Sequence, residues 1–76
     1  MIVKRFQFKT ALLRNKLLGT VRATLNGAPD ELQLAWEEAE VVTRFGPIVD
    51  YIVAQVAEID DATMDDLFRE AATVKS

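Results

Sequence analysis

The sequence PIVDYIVAQVAEI, residues 47–59, decides the fold of this chain. At helical spacing its aliphatic side chains form two adjacent rows, one of Ile48, Ile52, Val56 and Ile59 and the other of Val49 and Val53. A helix with so broad an apolar face needs cover from more than one neighbouring element. The same β-branched residues are compatible with a buried strand, but the run is longer than the ~5–6 residues of a usual strand. Gly46-Pro47 is typical of a helix start, so we predict a central helix over residues 47–59.

Helices are also predicted on both sides of this segment. Residues 30–45 begin with acids in the first turn and carry an apolar stripe of Leu32, Ala35, Trp36, Ala39, Val42 and Phe45, with Glu37, Glu40 and Arg44 facing solvent. After an Asp60-Asp61-Ala62 linker, Thr63 starts a capping-box pattern and a last helix with a stripe of Met64, Leu67, Phe68 and Ala71 and an Asp65–Arg69 pair. Residues 73–76 are expected to fray.

The N-terminal part leaves two interpretations open. Residues 2–9 alternate partly and indicate a short strand or an extended arm. Residues 11–25 fit a helix, because Leu13, Leu17, Val21 and Leu25 recur every four residues and Asn26-Gly27 is a suitable stop. They also fit a hairpin in which strands 2–13 and 17–26 pair. We therefore predict a single mainly α domain of three to four helices over residues 1–76, with a short N-terminal strand or β-hairpin as the α+β alternative.

Composition restricts the class of protein. The chain has 76 residues, of which 50% are hydrophobic and 28% charged, and this composition predicts one small folded domain. It contains no cysteine, so the domain has no disulfide bond. Because such a domain is marginally stable alone, self-association or a protein partner is expected. No apolar run reaches the ~18–20 residues of a membrane span, and no signal peptide is evident. We expect a cytoplasmic location, or a virion if the gene belongs to a phage, and no membrane partner.

Charge divides the chain into two halves. Residues 1–29 contain six basic residues and no acid, whereas residues 30–76 contain twelve acids and three basic residues, Arg44, Arg69 and Lys75. Either the solvent faces of the two halves attract each other, or one half faces a charged partner.

Enzymatic chemistry has little support in this sequence. There is no histidine or cysteine, and the only serine is Ser76 at the chain end. The glycines form no phosphate-binding loop. The carboxylates near Glu37 and near Asp60 fit solvated surface better than a metal site. We expect no catalytic residue, cofactor, metal or small-molecule substrate.

The most consistent interpretation is a non-enzymatic protein–protein interaction or assembly module that uses the basic half. The candidate contact residues are Arg5, Phe6, Phe8, Arg14, Leu18 and Arg22. Phe8 and Leu18 lie off the helical row through Leu13 and Leu17, so they either make a contact or are covered by another element. One alternative is a small nucleic-acid-binding protein whose basic residues contact phosphates and whose Phe6 or Phe8 stacks on a base. Another is an acidic inhibitor that mimics nucleic acid towards a basic host protein.

The order of these segments also carries a resemblance. The chain has an aromatic-basic start (Phe6, Phe8, Lys9), an alanine-rich acidic helix at residues 35–40, a proline-led apolar helix at Pro47 and a closing helix at residues 66–68. In this order of segments it resembles small helical proteins encoded among the structural genes of tailed bacteriophages. Residues 11–25 depart from that pattern by being more apolar and basic. The resemblance implies a virion-associated or assembly role without an active site, and it assigns a function to no individual residue.

Overall fold

The chain folds mainly as helices, as the sequence predicts. A computed structural model describes residues 1–75, in which five helices enclose a core and a two-stranded antiparallel sheet lies at one side. In chain order the elements are β1 (Ile2–Lys4), α1 (Arg5–Arg14), α2 (Leu18–Asn26), α3 (Asp30–Glu38), β2 (Val41–Thr43), α4 (Pro47–Gln55) and α5 (Asp61–Ala72). None of the described helices is both long and apolar enough to cross a bilayer.

The predicted central helix is present as α4, but it is shorter than expected. Val49 and Ile52 are fully buried, while the helix ends at Gln55 and Val56 takes an extended backbone with φ −106° and ψ 107°. Val56 and Ile59 nevertheless belong to the core, and between them the chain makes a turn closed by the Ile59 N–H bond to the Val56 carbonyl at 3.1 Å. The apolar residues were therefore correctly assigned to the core, and the helical range over residues 47–59 was wrong beyond Gln55.

The segment after α3 corrects the prediction of one helix over residues 30–45. The helix ends at Glu38, and β2 pairs with β1 in the register Ile2↔Thr43, Val3↔Val42 and Lys4↔Val41. In each strand only the middle residue is buried, as expected of a strand with one face on the core. The β-branched Val-Val-Thr run forms a strand because it finds β1 as a partner, which local helical spacing does not reveal.

The N-terminal segment is helical earlier than predicted. β1 ends at Lys4, whose backbone N–H donates to Gln7 Oε1 at 2.8 Å, and α1 then begins at Arg5. The strand or arm over residues 2–9 was therefore wrong after Lys4. In this helix Phe8 and Leu12 are completely buried against α5, whereas Leu13 remains 63% exposed.

Residues 11–25 are helical but interrupted, so the hairpin alternative is wrong. Lys16 adopts a left-handed conformation with φ 60°, and the Leu17 N–H bonds to the Leu12 carbonyl at 2.8 Å while the Lys16 N–H bonds to that of Leu13 at 3.1 Å. This pair of bonds is the Schellman arrangement that ends a helix. Before the break α1 buries Leu12 rather than Leu13, and after it α2 buries Val21 and Leu25, so the predicted row does not run through Leu13.

The core joins α1 to the last helix through aromatic side chains. The rings of Phe8 and Phe68 have centroids 5.4 Å apart at an interplanar angle of 47°. Phe8 has no exposed surface, so its predicted role as a surface contact is corrected: α5 covers it. The predicted apolar stripe of α5 is confirmed, since its four members are buried, namely Met64, Leu67, Phe68 and Ala71.

The start of α5 differs from the predicted capping box. Asp60 is the cap residue, because its Oδ1 accepts a hydrogen bond from the Thr63 N–H at 2.8 Å, so Asp60-Asp61-Ala62 is not a linker. Hydrogen bonds from Thr63 lower the pKa of the Asp60 carboxyl. At the other end, Val74 is buried and its carbonyl accepts a bond from Gln7 Nε2 at 2.7 Å, so the expected loose tail does not include Val74. Ser76 lies outside the described residues.

Arg44 was expected to face solvent and is instead 2% exposed. Its Nε lies 2.7 Å from Asp65 Oδ1, and its Nη2 lies 3.3 Å from Asp61 Oδ1 and 3.0 Å from the Asp61 carbonyl. Burial by itself lowers the pKa of the guanidinium, but the hydrogen bonds to the two carboxylates and their charges raise it. Arg44 thus fastens the end of β2 to α5, and Arg69 pairs with Asp66 rather than with Asp65.

Candidate interaction surface

The outer face of the β1–β2 sheet carries apolar side chains that the described residues leave uncovered. Ile2 is 66% exposed and Val41 is 48% exposed, although their neighbours Val3 and Val42 are buried. Ile2 pairs with Thr43 and Lys4 with Val41, so Ile2 and Val41 are diagonal neighbours on this face. The strand alternation that buries one face therefore exposes two diagonally placed aliphatic side chains on the other.

An open groove of about 630 Å³ adjoins this face. It lies between the beginning of α1 and the segment that joins α3 to β2, and its lining residues are Lys4, Arg5, Phe6, Lys9, Glu37, Glu38, Ala39, Glu40 and Val41. The α1 side is cationic, the opposite side is acidic, and Phe6 stands in the groove with 61% of its surface exposed. We call the groove residues together with Ile2 the sheet-side surface.

Arg5 holds one wall of this groove in place. Its Nη1 donates to the carbonyls of Trp36 at 2.6 Å and Glu37 at 2.9 Å, and its backbone N–H donates to the Glu40 carbonyl at 3.0 Å. The last carbonyls of α3 have no partner inside the helix, and a cation near them is favourable. Arg5, which the sequence suggested as a contact anchor, therefore positions the acidic side of the groove.

Three cations converge around Trp36 beside the groove. Arg5 Cζ lies 5.8 Å and Lys9 Nζ 5.7 Å from the centroid of the Trp36 ring, within the range of a cation–π contact, and Arg22 lines a second cavity of about 230 Å³ with Trp36. Burial, followed by the positive charges of Arg5 and Arg22, lowers the pKa of Lys9. The Trp36 ring is itself fixed by an edge contact with Phe8 at 6.3 Å.

The basic half makes no ion pair with the acidic half among residues 1–75. The ion pairs there use Arg44 or Arg69, and both of these lie in the acidic half of the sequence. Direct pairing therefore does not account for the separation of charge along the chain. Arg5 uses its guanidinium to bond the Trp36 and Glu37 carbonyls, and the other five basic side chains of residues 1–29 remain for solvent, for aromatic rings or for a partner.

The structure brings together some of the candidate contact residues and separates others. Arg5 and Phe6 line the groove, and Arg22 adjoins it through Trp36. Arg14 is exposed at the end of α1, and Leu18 is half-buried against the core, and neither lines the groove.

Sequence reasoning missed most of the acidic and sheet residues of this surface. Lys4, Val41 and the acidic wall join it only because β2 pairs with β1. The available signal was the Val-Val-Thr run, which is typical of a strand. That run also fits the apolar stripe of a helix at Val42, so it did not stand out.

Comparison with known proteins adds no assignment. No protein-family model matches the chain, and neither the curated proteins nor the solved structures give a significant match. Within residues 1–75, no group of carboxylates is arranged to hold a metal ion. The sheet-side surface is thus the feature on which a functional argument can be built.

Proposed function

We propose that this protein is a non-enzymatic interaction module that acts in assembly by binding a protein chain through the sheet-side surface. The observation that carries the proposal is the exposure of Ile2, Phe6 and Val41, at 66%, 61% and 48%, on one side of the molecule. Fully burying such a side chain contributes about 1.5–3 kcal/mol, so covering the three together favours association. Adjacent exposed apolar side chains rimmed by charges are typical of protein interaction sites.

The charges of the groove favour a protein as the partner. Lys4 and Lys9 lie on one side, and Glu37, Glu38 and Glu40 on the other. A nucleic acid presents negative charge throughout, so the acidic wall would repel it. A protein surface can present both signs and match both walls.

The resemblance to small helical proteins of tailed-bacteriophage structural genes extends this proposal to virion assembly. We rest that extension on the resemblance alone. The expected result is that mass spectrometry detects the protein in purified particles or in their assembly intermediates. Its absence from both would remove the virion role and leave the interaction role to be tested separately.

Site-specific photo-crosslinking tests the interaction role. A photoreactive p-benzoylphenylalanine at position 6 is compared with the same residue at position 34, because Leu34 is also 58% exposed but lies on α3 outside the sheet-side surface. In the source cell, position 6 should give one discrete protein adduct, whether with another protein or with a second copy, and position 34 should give none. Equal adducts at both positions, or none at either, would refute the proposal.

Nucleic-acid binding is a second candidate, favoured by the cations Arg5, Lys9 and Arg22 around Trp36. Its test is the anisotropy of labelled single-stranded DNA and RNA at about 50 and 200 mM salt. Binding at low salt that weakens with salt and with Arg22→Glu, but not with Arg14→Glu, would support it. No change in anisotropy at the lower salt concentration would exclude nucleic-acid binding. The acidic-inhibitor alternative gains no specific support, because Asp61 and Asp65 of its face pair with Arg44.

A further inference from the structure

We infer that the partner on the sheet-side surface is a second copy of this chain, related to the first by a two-fold axis. This inference rests on the proposed function and specifies its partner. The reason is that the surface is complementary to itself in charge. Its cations, Lys4 and Lys9, lie on the α1 side of the groove, and its acids lie on the α3–β2 side.

The geometry of a two-fold contact explains why this division matters. In a symmetric dimer the axis lies in the plane of contact, and each side of the patch meets the opposite side of the same patch on the partner. If the axis runs along the groove, the basic wall of one copy faces the acidic wall of the other, and the reverse contact forms at the same time. Phe6 of the α1 side and Val41 of the α3–β2 side then face each other across the contact, and Ile2 lies beside them on the outer face of the sheet.

The distribution of exposed apolar side chains supports a contact centred on the sheet. Of the seven large apolar residues that are exposed within residues 1–75, five lie on the strands or directly beside them: Met1, Ile2, Phe6, Val41 and Phe45. The other two, Leu13 and Leu34, lie on α1 and α3. The Arg44 N–H bonds to the Met1 carbonyl at 2.9 Å, and Arg44 Cζ lies 4.7 Å from the Phe45 ring centroid, which places these residues at one end of the sheet.

The molecule is small compared with the area of a standard protein interface. A standard interface covers roughly 800 Å² per partner, and the whole accessible surface of the chain is 4734 Å². A stable dimer would therefore take up one broad side of a molecule that measures 31 × 25 × 21 Å. Met1 and Phe45 add exposed apolar area at the Ile2–Thr43 end of the sheet, next to the sheet-side surface. For a domain of this length, association would also add to a small core.

Charge reversal tests the inference by sedimentation velocity and native mass spectrometry. The wild type should form a dimer of twice the 8.5 kDa chain mass. Lys4→Glu/Lys9→Glu replaces both lysines of the α1 side by acids, and Glu37→Lys/Glu38→Lys replaces two of the three acids of the opposite side by lysines, so each variant carries mainly one sign on both walls. Each variant alone should dimerise at least tenfold more weakly than the wild type. An equimolar mixture of the two should recover a heterodimer, because the walls are then complementary again.

Two controls keep the result interpretable. Arg14→Glu/Lys16→Glu makes the same change of charge outside the surface and should dimerise like the wild type. Phe6→Asp changes an exposed side chain and should weaken dimerisation at least tenfold while the far-ultraviolet circular dichroism stays that of the wild type.

The possible failures are distinguishable. A monomeric wild type at millimolar concentration would overturn the second-copy inference, and so would charge-reversed variants that dimerise like the wild type. If position 6 still crosslinks to a different protein, the proposed interaction role survives without self-association. If position 6 gives no adduct and the wild type is monomeric, both proposals fail.

Discussion

The buried Arg44 allows a quantitative test of how the sheet is held to the helices. Asp65→Ala removes the carboxylate 2.7 Å from Arg44 Nε and leaves a guanidinium that is 2% exposed with Asp61 as its remaining charged partner. Breaking a fully buried ion pair costs about 3–5 kcal/mol. Because the Asp65 side chain is 38% exposed and that of Asp61 is 82% exposed, solvent screening reduces this figure, and we expect a loss of roughly 2–3 kcal/mol.

Replacing Arg44 itself by an uncharged side chain should cost much less stability than removing its partner Asp65. Arg44→Met keeps a long apolar side chain and leaves as the unpaired group Asp65, whose side chain is 38% exposed and can be solvated, so we expect a loss of only about 1 kcal/mol. In the Arg44→Met background, Asp65→Ala should then change the free energy of unfolding by less than about 0.5 kcal/mol. This double-mutant cycle separates the pair from the packing of each residue.

Urea unfolding followed by circular dichroism and Trp36 fluorescence measures these free energies. Asp66→Ala serves as the matched control, because Asp66 makes an equally short 2.7 Å pair with Arg69 but both side chains are well exposed, at 75% and 68%. An exposed pair contributes about 0–1 kcal/mol. If Asp65→Ala cost no more than Asp66→Ala, the reasoning that burial makes the Arg44 pair important would be refuted.

Three further predictions concern stability and pH. Phe8→Ala should cost about 3–5 kcal/mol because Phe8 is fully buried, whereas Leu13→Ala, at a side chain that is 63% exposed and lies outside the sheet-side surface, should change the unfolding free energy by less than about 0.5 kcal/mol; equal losses in urea would contradict the assignment of Phe8 to the core. Lys16→Gly should stabilise the protein by about 0.5–1 kcal/mol in thermal unfolding, since glycine accepts the left-handed conformation at φ 60°, and a loss would contradict this helix end. Because the pKa of Asp60 is lowered in the folded protein, its carboxylate stabilises the fold above its ordinary pKa of 3.8, and this effect is lost as the pH falls through the lower folded value. The melting temperature of Asp60→Asn should therefore fall less on acidification than that of the wild type. An identical fall would contradict the role of Asp60 as the helix cap.

The helices with uninterrupted apolar spacing could be predicted from the sequence. In α4 and α5 the spacing alone identified buried residues such as Ile52 and Phe68, because a 3.6-residue period directly gives the face that packs on the core. The boundaries were less accurate. Val56 and Ile59 continue the apolar row in sequence although the chain there is no longer helical.

The sheet could not be predicted, because its pairing is not local. Val42 fits both a helical stripe and a strand, and only the presence of β1 far away in the sequence decides between them. The same error affected the N-terminus. In a strand Phe6 and Phe8 share a face, but in a helix they are roughly 200° apart. Once α1 begins at Arg5, Phe8 enters the core and Phe6 remains outside.

The candidate surface was only partly foreseen for the same reason. Arg5 and Phe6 were proposed as contact residues from their basic and aromatic character, and both line the groove. Its acidic wall was not foreseen, because Glu37 and Glu40 were placed on the solvent face of a longer helix. The end of α3 at Glu38, held by Arg5, brings that wall opposite the cations of α1.

The most direct test of the account is a dilution series of ¹⁵N-labelled protein followed by nuclear magnetic resonance. If the sheet-side surface is the contact surface between copies, the amide shifts that change with concentration should lie in residues 2–6 and 37–43. The amides around Leu34 and Glu58, which are outside that surface, should stay constant. Spectra of a protein that stays monomeric over the whole series, or changes centred on Leu34, would contradict it.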